Sequence, residues 1–431
     1  MKAAMEVDLT PELRLTESDR AMLEGQRGPA DQMAMRIITR MAAVVGAERL
    51  MDITGAHIDS SLYLGEATLE FAEMLADRGA QVKVPTTLNV SGVDEAGWQE
   101  WEVPANWAEK ARKQMMAYER MGCTPTWTCA PYQLESRPKF GQQVAWGESN
   151  AIIFANSVLG ARTERYPDLL DICAAITGRV PAVGLHLTKN RAAQVLLQLQ
   201  EIPVELQEHD SFYPVLGYVL GKIAGDRVAC ISGFAVEPDE DQLKAFGAAA
   251  ASSGAVALFH IPGVTPEAPS VEAAFQGREP EERIPISMDH LRAARKELTT
   301  APGTELDMVV LGSPHFSLAE FQSLTPLLEG VSKHPKVQFL ITTSRAMAAL
   351  AEKAGLLDPI REFGGRITLD TCILTTPMLS DHVRSLMTNS AKYAYYSPGL
   401  LNVNVAYGGL AECVRSAVHG KIMQEDGIWQ N

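Results

Sequence analysis

The stretch from Leu306 to Leu374 constrains the fold more than any other part of the chain. LDMVVLG (306–312) is a continuous apolar run and SLAEFQSLTPLLEG (317–330) has helical spacing. VQFLIT (337–342) and SRAMAALAEKAG (344–355) repeat that alternation, and RITLDTCIL (366–374) adds a third strand. Strands covered by helices on both faces have this near-continuous Val/Ile/Leu composition. The expected class is α/β, with several doubly wound subdomains and mainly parallel sheets. In such a sheet the loops at the carboxyl ends of the strands converge on one cleft, whatever their separation in sequence. Three loops qualify here: Gly312-Ser313-Pro314-His315, Thr342-Thr343-Ser344-Arg345 and Asp370-Thr371-Cys372. Two of them open helices, so free backbone N–H groups face the cleft. Arg345 suits a two-pronged grip on a carboxylate, or a surface ion pair. The turn Asn389-Ser390-Ala391-Lys392 would add amide, hydroxyl and ammonium groups.

The same alternation recurs earlier. A strand near 50–53 runs into GAHIDSS and places His57 and Asp59 just past its carboxyl end, each as a ligand group or part of a capped turn. A helix over 66–78 and a strand over 81–88 follow. Residues 192–206 fit helix or strand, with strand favoured for the second half. FYPVLGYVLGKIAG (212–225) reads as a helix whose glycines imply close packing, and 262–286 as a long surface excursion.

At 431 residues the chain exceeds one ordinary core. Its net charge of −15 argues against nucleic acid or an anionic membrane as partner. There is no run of eighteen apolar residues to span a membrane, and the N-terminus lacks an apolar signal core. A cytoplasmic setting is expected. The six cysteines, at 123, 129, 173, 230, 372 and 413, contain no CxxC pair. In a reducing compartment they are thiols or metal ligands rather than disulfides.

Residues 123–165 hold the densest chemistry. Thr126–Thr128 favour strand, Pro131 breaks it, and a helix is expected over about 150–160 with Ser149 and Asn150 as caps. The polar loop between carries Lys139 and Glu148. A loop of that composition feeding a helix N-terminus is placed to hold an anion. Glu148 is a candidate acid or base, or a cap or ion-pair partner; Lys139, Ser149 and Asn150 complete the candidate catalytic set. His57, Arg162, Ser344, Arg345, Asn389, Ser390 and Lys392 form the candidate substrate-binding set.

TCAPY, PKFG, GESNA and FANSVLGARTER resemble the aconitase X family, as do GLHL, LGYVLGK, LGSPHFSLAE, TTSRA, DTC and TNSAKYAYY. These matches fall in the family's order from about residue 10 to about 420. The resemblance implies an aconitase-like module over about 8–420, with one subdomain from 8–165 plus 301–420 and another over 166–300. Residues 421–431 are expected to be a loose tail. It also implies a dehydratase that binds a small molecule: cis-3-hydroxy-L-proline in the bacterial branch, with mevalonate 5-phosphate as the alternative. A non-catalytic scaffold with a decayed site is a third reading.

In the family, three cysteines commonly hold an iron–sulfur cluster. The matching positions here are Cys129, Ser313 and Cys372, so the middle thiolate is replaced by a hydroxyl. That change favours a 2Fe–2S cluster over 4Fe–4S, or a differently ligated iron. Cys123 lies six residues before Cys129, about 20 Å away if the chain is extended. The family also uses a small swivelling domain that contributes a serine. That domain is fused in some members and a separate polypeptide in others; with no stretch of about 130 residues left over for it, a separate subunit of about 130–150 residues is expected here.

Overall fold

The structure, a computed structural model, describes residues 13–430; the expected module start at residue 8 lies outside them. Fourteen strands are described, in four sheets. In the first unit β1 (Leu50–Asp52) pairs antiparallel with β5 (Arg179–Pro181). Between them in sequence, β2 (Ala56–Ile58), β3 (Thr86–Leu88) and β4 (Ala145–Trp146) form a parallel sheet in the order β3-β2-β4. The second unit is a parallel sheet of β6 (Val195–Leu199), β7 (Ala229–Ser232), β8 (Phe259–His260) and β9 (Glu282–Ile286), ordered β8-β7-β6-β9. The third has β10 (Met308–Leu311), β11 (Gln338–Thr343), β12 (Arg366–Leu369), β13 (Ser385–Thr388) and β14 (Asn404–Tyr407), all parallel and ordered β12-β11-β10-β13-β14. The α/β class with mainly parallel sheets is what the apolar runs require.

Apolar cores join the units. One cluster packs Phe246 and Phe259 of the second unit against Val310, Leu386 and Tyr393 of the third. Another sets Tyr132, Trp146 and Phe154 of the first against Leu196 and Cys230 of the second. The helices Phe212–Ala224 and Glu240–Ser253 cross at glycine: a Cβ on Gly217 would fall 2.1 Å from the Phe246 carbonyl. Close approach of the two backbones therefore requires glycine there.

Several expectations are corrected. Residues 166–189 belong with the first unit, not the second: the helix Leu170–Thr177 packs in the first unit's core and β5 pairs with β1. Residues 126–128 are not a strand. Trp127 takes φ +43°, and the segment hangs on β3 through Thr128 N–H to the Leu88 carbonyl and the Thr126 hydroxyl. Within 192–206 the strand is the first half, and Pro203 caps the helix Val204–Glu208 in the second. The tail is docked: Trp429 is 3% exposed beneath the Arg295 guanidinium, which also pairs with Asp426 at 2.7 Å. A buried tryptophan and a cation over its face hold down a segment whose polar neighbours suggest disorder.

Candidate active site

The carboxyl edges of two sheets meet at one place. From the first sheet come Asp59 after β2, Asn89 after β3, and Gly147-Glu148 after β4. From the third come Ser313 after β10, Ser344 after β11, Asp370–Cys372 after β12, and Asn389-Ser390 after β13. A chain of contacts shows that these loops converge. The His315 backbone N–H donates to Cys129 Sγ at 3.2 Å, and its Nε2 lies 3.0 Å from the Thr371 carbonyl. Burial holds the His315 imidazole down at about 4, so the ring is neutral and Nε2–H is the donor to Thr371. The Ser390 hydroxyl donates to the Ser313 carbonyl and also caps the helix Ala391–Leu400 through Tyr393 N–H. Cys372 Sγ lies 3.8 Å from the Tyr393 hydroxyl. Gly312, at φ +98°, makes the turn into Ser313; a Cβ there would stand 2.2 Å from the Thr342 carbonyl.

Lys392 and Glu148 close the circle, with Nζ 2.5 Å from Oε1. Glu148, rather than Ser149 or Asn150, caps the helix Ser149–Ser157, accepting from Asn150 N–H at 3.3 Å. Burial pushes its carboxyl up, but Lys392 and the Asn150 bonds outweigh that and hold it at about 2. The same pairing raises Lys392 against its own burial. Glu148 is therefore a fixed anion and, in this pair, a weak base. Asn150 bridges: its Nδ2 donates to Glu148 at 2.7 Å and to the Cys129 carbonyl at 3.0 Å, and its Oδ1 accepts from Tyr132. The Ser149 hydroxyl lies 3.3 Å from Glu148.

Other candidates fall differently. Arg345 grips a carboxylate of its own chain: its N–H and Nε reach Asp370 at 2.8 and 2.6 Å, and a terminal nitrogen reaches Glu95. It anchors the Cys372 loop instead of offering a free cation. Ser344 caps the helix Arg345–Lys353. Arg162 is tied to the His186 carbonyl and Thr188 of its own unit and to Glu267 of the second. Lys139 is exposed on a turn beside Gly160, with no described contact to the site. His57 lies within β2 rather than beyond a strand; it is 0% exposed and burial lowers its imidazole to about 3. Asn389 is half-buried at the end of β13. Cys123 and Cys173 pack in the first unit's core, Cys413 in the third's. His315, Tyr393 and Asn89 were not singled out from sequence. The strand-end rule that picked out Ser313 reaches His315 and Asn89 as well.

Cys129 and Cys372 lie together beside Leu62 and Val90, so two sulfurs of the cleft could serve an iron–sulfur group, and Ser313 is tied to the same loops through its carbonyl, which accepts from Ser390. Among the described residues no three Cys, His, Asp or Glu side chains are grouped for a metal. Burial pushes the Cys129 thiol up to about 12, with Glu148 adding; Lys392 and the His315 N–H pull it down. The same burial raises Cys372. Without iron both are thiols, and a bound iron would take the place of their protons. An N–H to sulfur bond and a nearby ammonium are what a buried thiolate ligand needs.

The chain is an α/β protein whose cysteine-bearing loops meet at a buried Lys–Glu pair, and comparison with known proteins gives its family. The aconitase X first, second and third domains match residues 12–189, 193–296 and 306–419. The chain belongs to the aconitase X family. It is 48% identical to a cis-3-hydroxy-L-proline dehydratase of Pseudomonas aeruginosa, over 97% of this chain and 72% of that protein. It is 37% identical to the phosphomevalonate dehydratase large subunit of Methanothermobacter thermautotrophicus, over 93% of this chain and 98% of that one. The crystal structure of Thermococcus kodakaraensis aconitase X in its holo-form superposes with a TM-score of 0.83 at 33% identity, covering 94% of this chain and all of that one.

Proposed function

We propose that this chain is the large subunit of a hydro-lyase that converts cis-3-hydroxy-L-proline to Δ1-pyrroline-2-carboxylate and water. A proton leaves C2, beside the carboxylate, and hydroxide leaves C3; the resulting enamine tautomerises to the imine. The observation that carries the reading is the meeting of Cys129, Cys372 and Ser313 with the Lys392–Glu148 pair, in a chain 48% identical to a dehydratase of that name. A scaffold would have no use for those groups together.

Cys129 and Cys372, with Ser313, would hold an iron–sulfur group, 2Fe–2S favoured, which when bound supplies a Lewis acid for the leaving oxygen. Lys392 offers its ammonium to the carboxylate, whose charge grows as the C2 proton leaves. Glu148 keeps that ammonium charged and aimed. The free N–H groups at the start of the helix Ala391–Leu400 add to the same anion site. The C2 proton is taken by a serine of a separate swivelling subunit, which also excludes water. A cytoplasmic setting, where the six free thiols stay reduced, belongs to this reading. No described helix is long and apolar enough to cross a membrane.

The phosphomevalonate reading is less well supported. The chain is 48% identical to the hydroxyproline dehydratase and 37% identical to the phosphomevalonate dehydratase large subunit.

The test is turnover of cis-3-hydroxy-L-proline by the iron-loaded chain, alone and with the swivelling subunit. A missing acid or base costs roughly 10²–10⁴-fold, so the chain alone should be that much slower. No dehydration with both present overturns the reading. Full activity from the chain alone places the base within it, with Glu148 first to replace.

A further inference from the structure

Beside the Lys392–Glu148 pair, the first sheet's edge carries a second polar group that the dehydration chemistry does not use. Asp59 is half-buried there. Its backbone is fixed, because Asp171 Oδ2 accepts from Asp59 N–H at 2.7 Å and from Ser60 N–H at 3.0 Å. Gly147 leaves room for it: a Cβ on Gly147 would fall 2.7 Å from Asp59 Cβ and 2.9 Å from Asp171 Oδ2.

Three carboxyls gather in this corner, and two are matched. Glu148 has Lys392. Asp171 accepts from the backbone of Asp59, Ser60 and Ile172 and from the Ser60 hydroxyl. Asp59 has the Asn89 amide and, among the described residues, no cation within ion-pair distance. Burial first, then Glu148 and Asp171, push its carboxyl well above the ordinary range, as an unmatched acid in a closed corner must be.

A second observation points the same way. Asn89 is 1% exposed, and its Nδ2 reaches both Asp59 and Glu148, the latter at 3.5 Å, so the amide lies between the two acids. Its Oδ1 is buried with no hydrogen-bond donor. Buried acceptors of this kind are ordinarily satisfied. Among the described residues the corner thus holds an acid without a cation beside a buried acceptor without a donor.

We propose that Asp59 and Asn89 form the subsite for the ring ammonium of a cyclic amino-acid substrate, an assignment that rests on the hydroxyproline reading above. A secondary ammonium has two N–H donors: one meets the Asp59 carboxylate, the other Asn89 Oδ1. The substrate carboxylate then lies toward Lys392. Asp59 would thereby select for amino acids over hydroxy acids that lack nitrogen.

Two unreactive probes test this on the iron-loaded chain with its swivelling subunit present: L-proline, and cyclopentanecarboxylate, which has the same ring without the nitrogen. Calorimetry should give at least about tenfold tighter binding for L-proline. Asp59→Asn should weaken L-proline about 10- to 100-fold and leave cyclopentanecarboxylate within about twofold. Equal binding of the two probes by the unmodified protein overturns the subsite, and needs no variant to fold. An Asp59→Asn protein that keeps the preference overturns it too. If the preference and its loss are found but hydroxyproline is not dehydrated, the subsite stands and the reaction assignment falls.

Discussion

Lys392 Nζ lies 2.5 Å from Glu148 Oε1, and the two residues are 244 positions apart in the chain. The pair joins the third unit to the first at the mouth of both sheets. Each side chain keeps about an eighth of its surface exposed, so neither charge is well hydrated. Removing one partner strands the other.

Lys392→Met should therefore destabilise the chain by roughly 3–5 kcal/mol, with the Glu148→Gln/Lys392→Met double variant recovering much of that loss. Chemical denaturation of the three variants checks it; strictly additive losses would show that the pair is not coupled. Glu148 is held at about 2, below its ordinary 4.5. Its contribution should be complete above the ordinary carboxylate range and vanish as the pH falls through about 2.

Cys129→Ala and Cys372→Ala should each lower bound iron to near background, whereas Cys173→Ala and Cys413→Ala should leave it unchanged. The first two sulfurs share a cluster with Leu62 and Val90 at the loop ends; the others are 0% exposed in separate cores. Iron per chain, measured on all four proteins, decides the matter. Equal iron in all of them removes Cys129 and Cys372 from the metal.

Ser313→Cys restores a third thiol where the family commonly has one. The expected result is more iron per chain, or an altered visible spectrum, with slower turnover. An unchanged spectrum and rate would separate Ser313 from the metal.

Glu320 provides a pH signature outside the site. Lys244, 2% exposed in its side chain, bonds Asp241 at 2.7 Å and also Glu320, joining the second unit to the third. One ammonium serves two carboxyls. Burial raises Glu320 to about 7 despite Lys244, while Asp241 is lowered. A carboxyl raised on folding binds protons more tightly in the native state, so its contribution is full below about 4.5 and declines as pH rises to about 7. Glu320→Gln should flatten that decline, worth up to roughly 3 kcal/mol. Parallel stability–pH curves for the two proteins would contradict it.

The third unit was legible in the sequence because its strands are long apolar runs, each followed by a helix of matching period; β11 alone spans Gln338–Thr343. The first unit was harder. Strands β2, β3 and β4 are three, three and two residues long, too short to carry a period. Their parallel pairing joins segments 30 to 90 residues apart, which no local pattern records. The same holds for residues 166–189, whose place is set by β5 reaching back to β1.

Resemblance to the aconitase X family put Cys129, Ser313 and Cys372 forward as cluster positions; the sequence by itself determined the α/β class and the chemical inventory of the loops. Those are consequences of residue type and local period. Tertiary structure alone decided which charges meet. It gave Arg345 to Asp370, fixed Glu148 as a paired anion against Lys392, took Lys139 away to the surface and, among the described residues, left Asp59 without a cation. The reason is physical: a charge is defined by what surrounds it within a few ångströms, and here those neighbours come from strand ends on two different sheets.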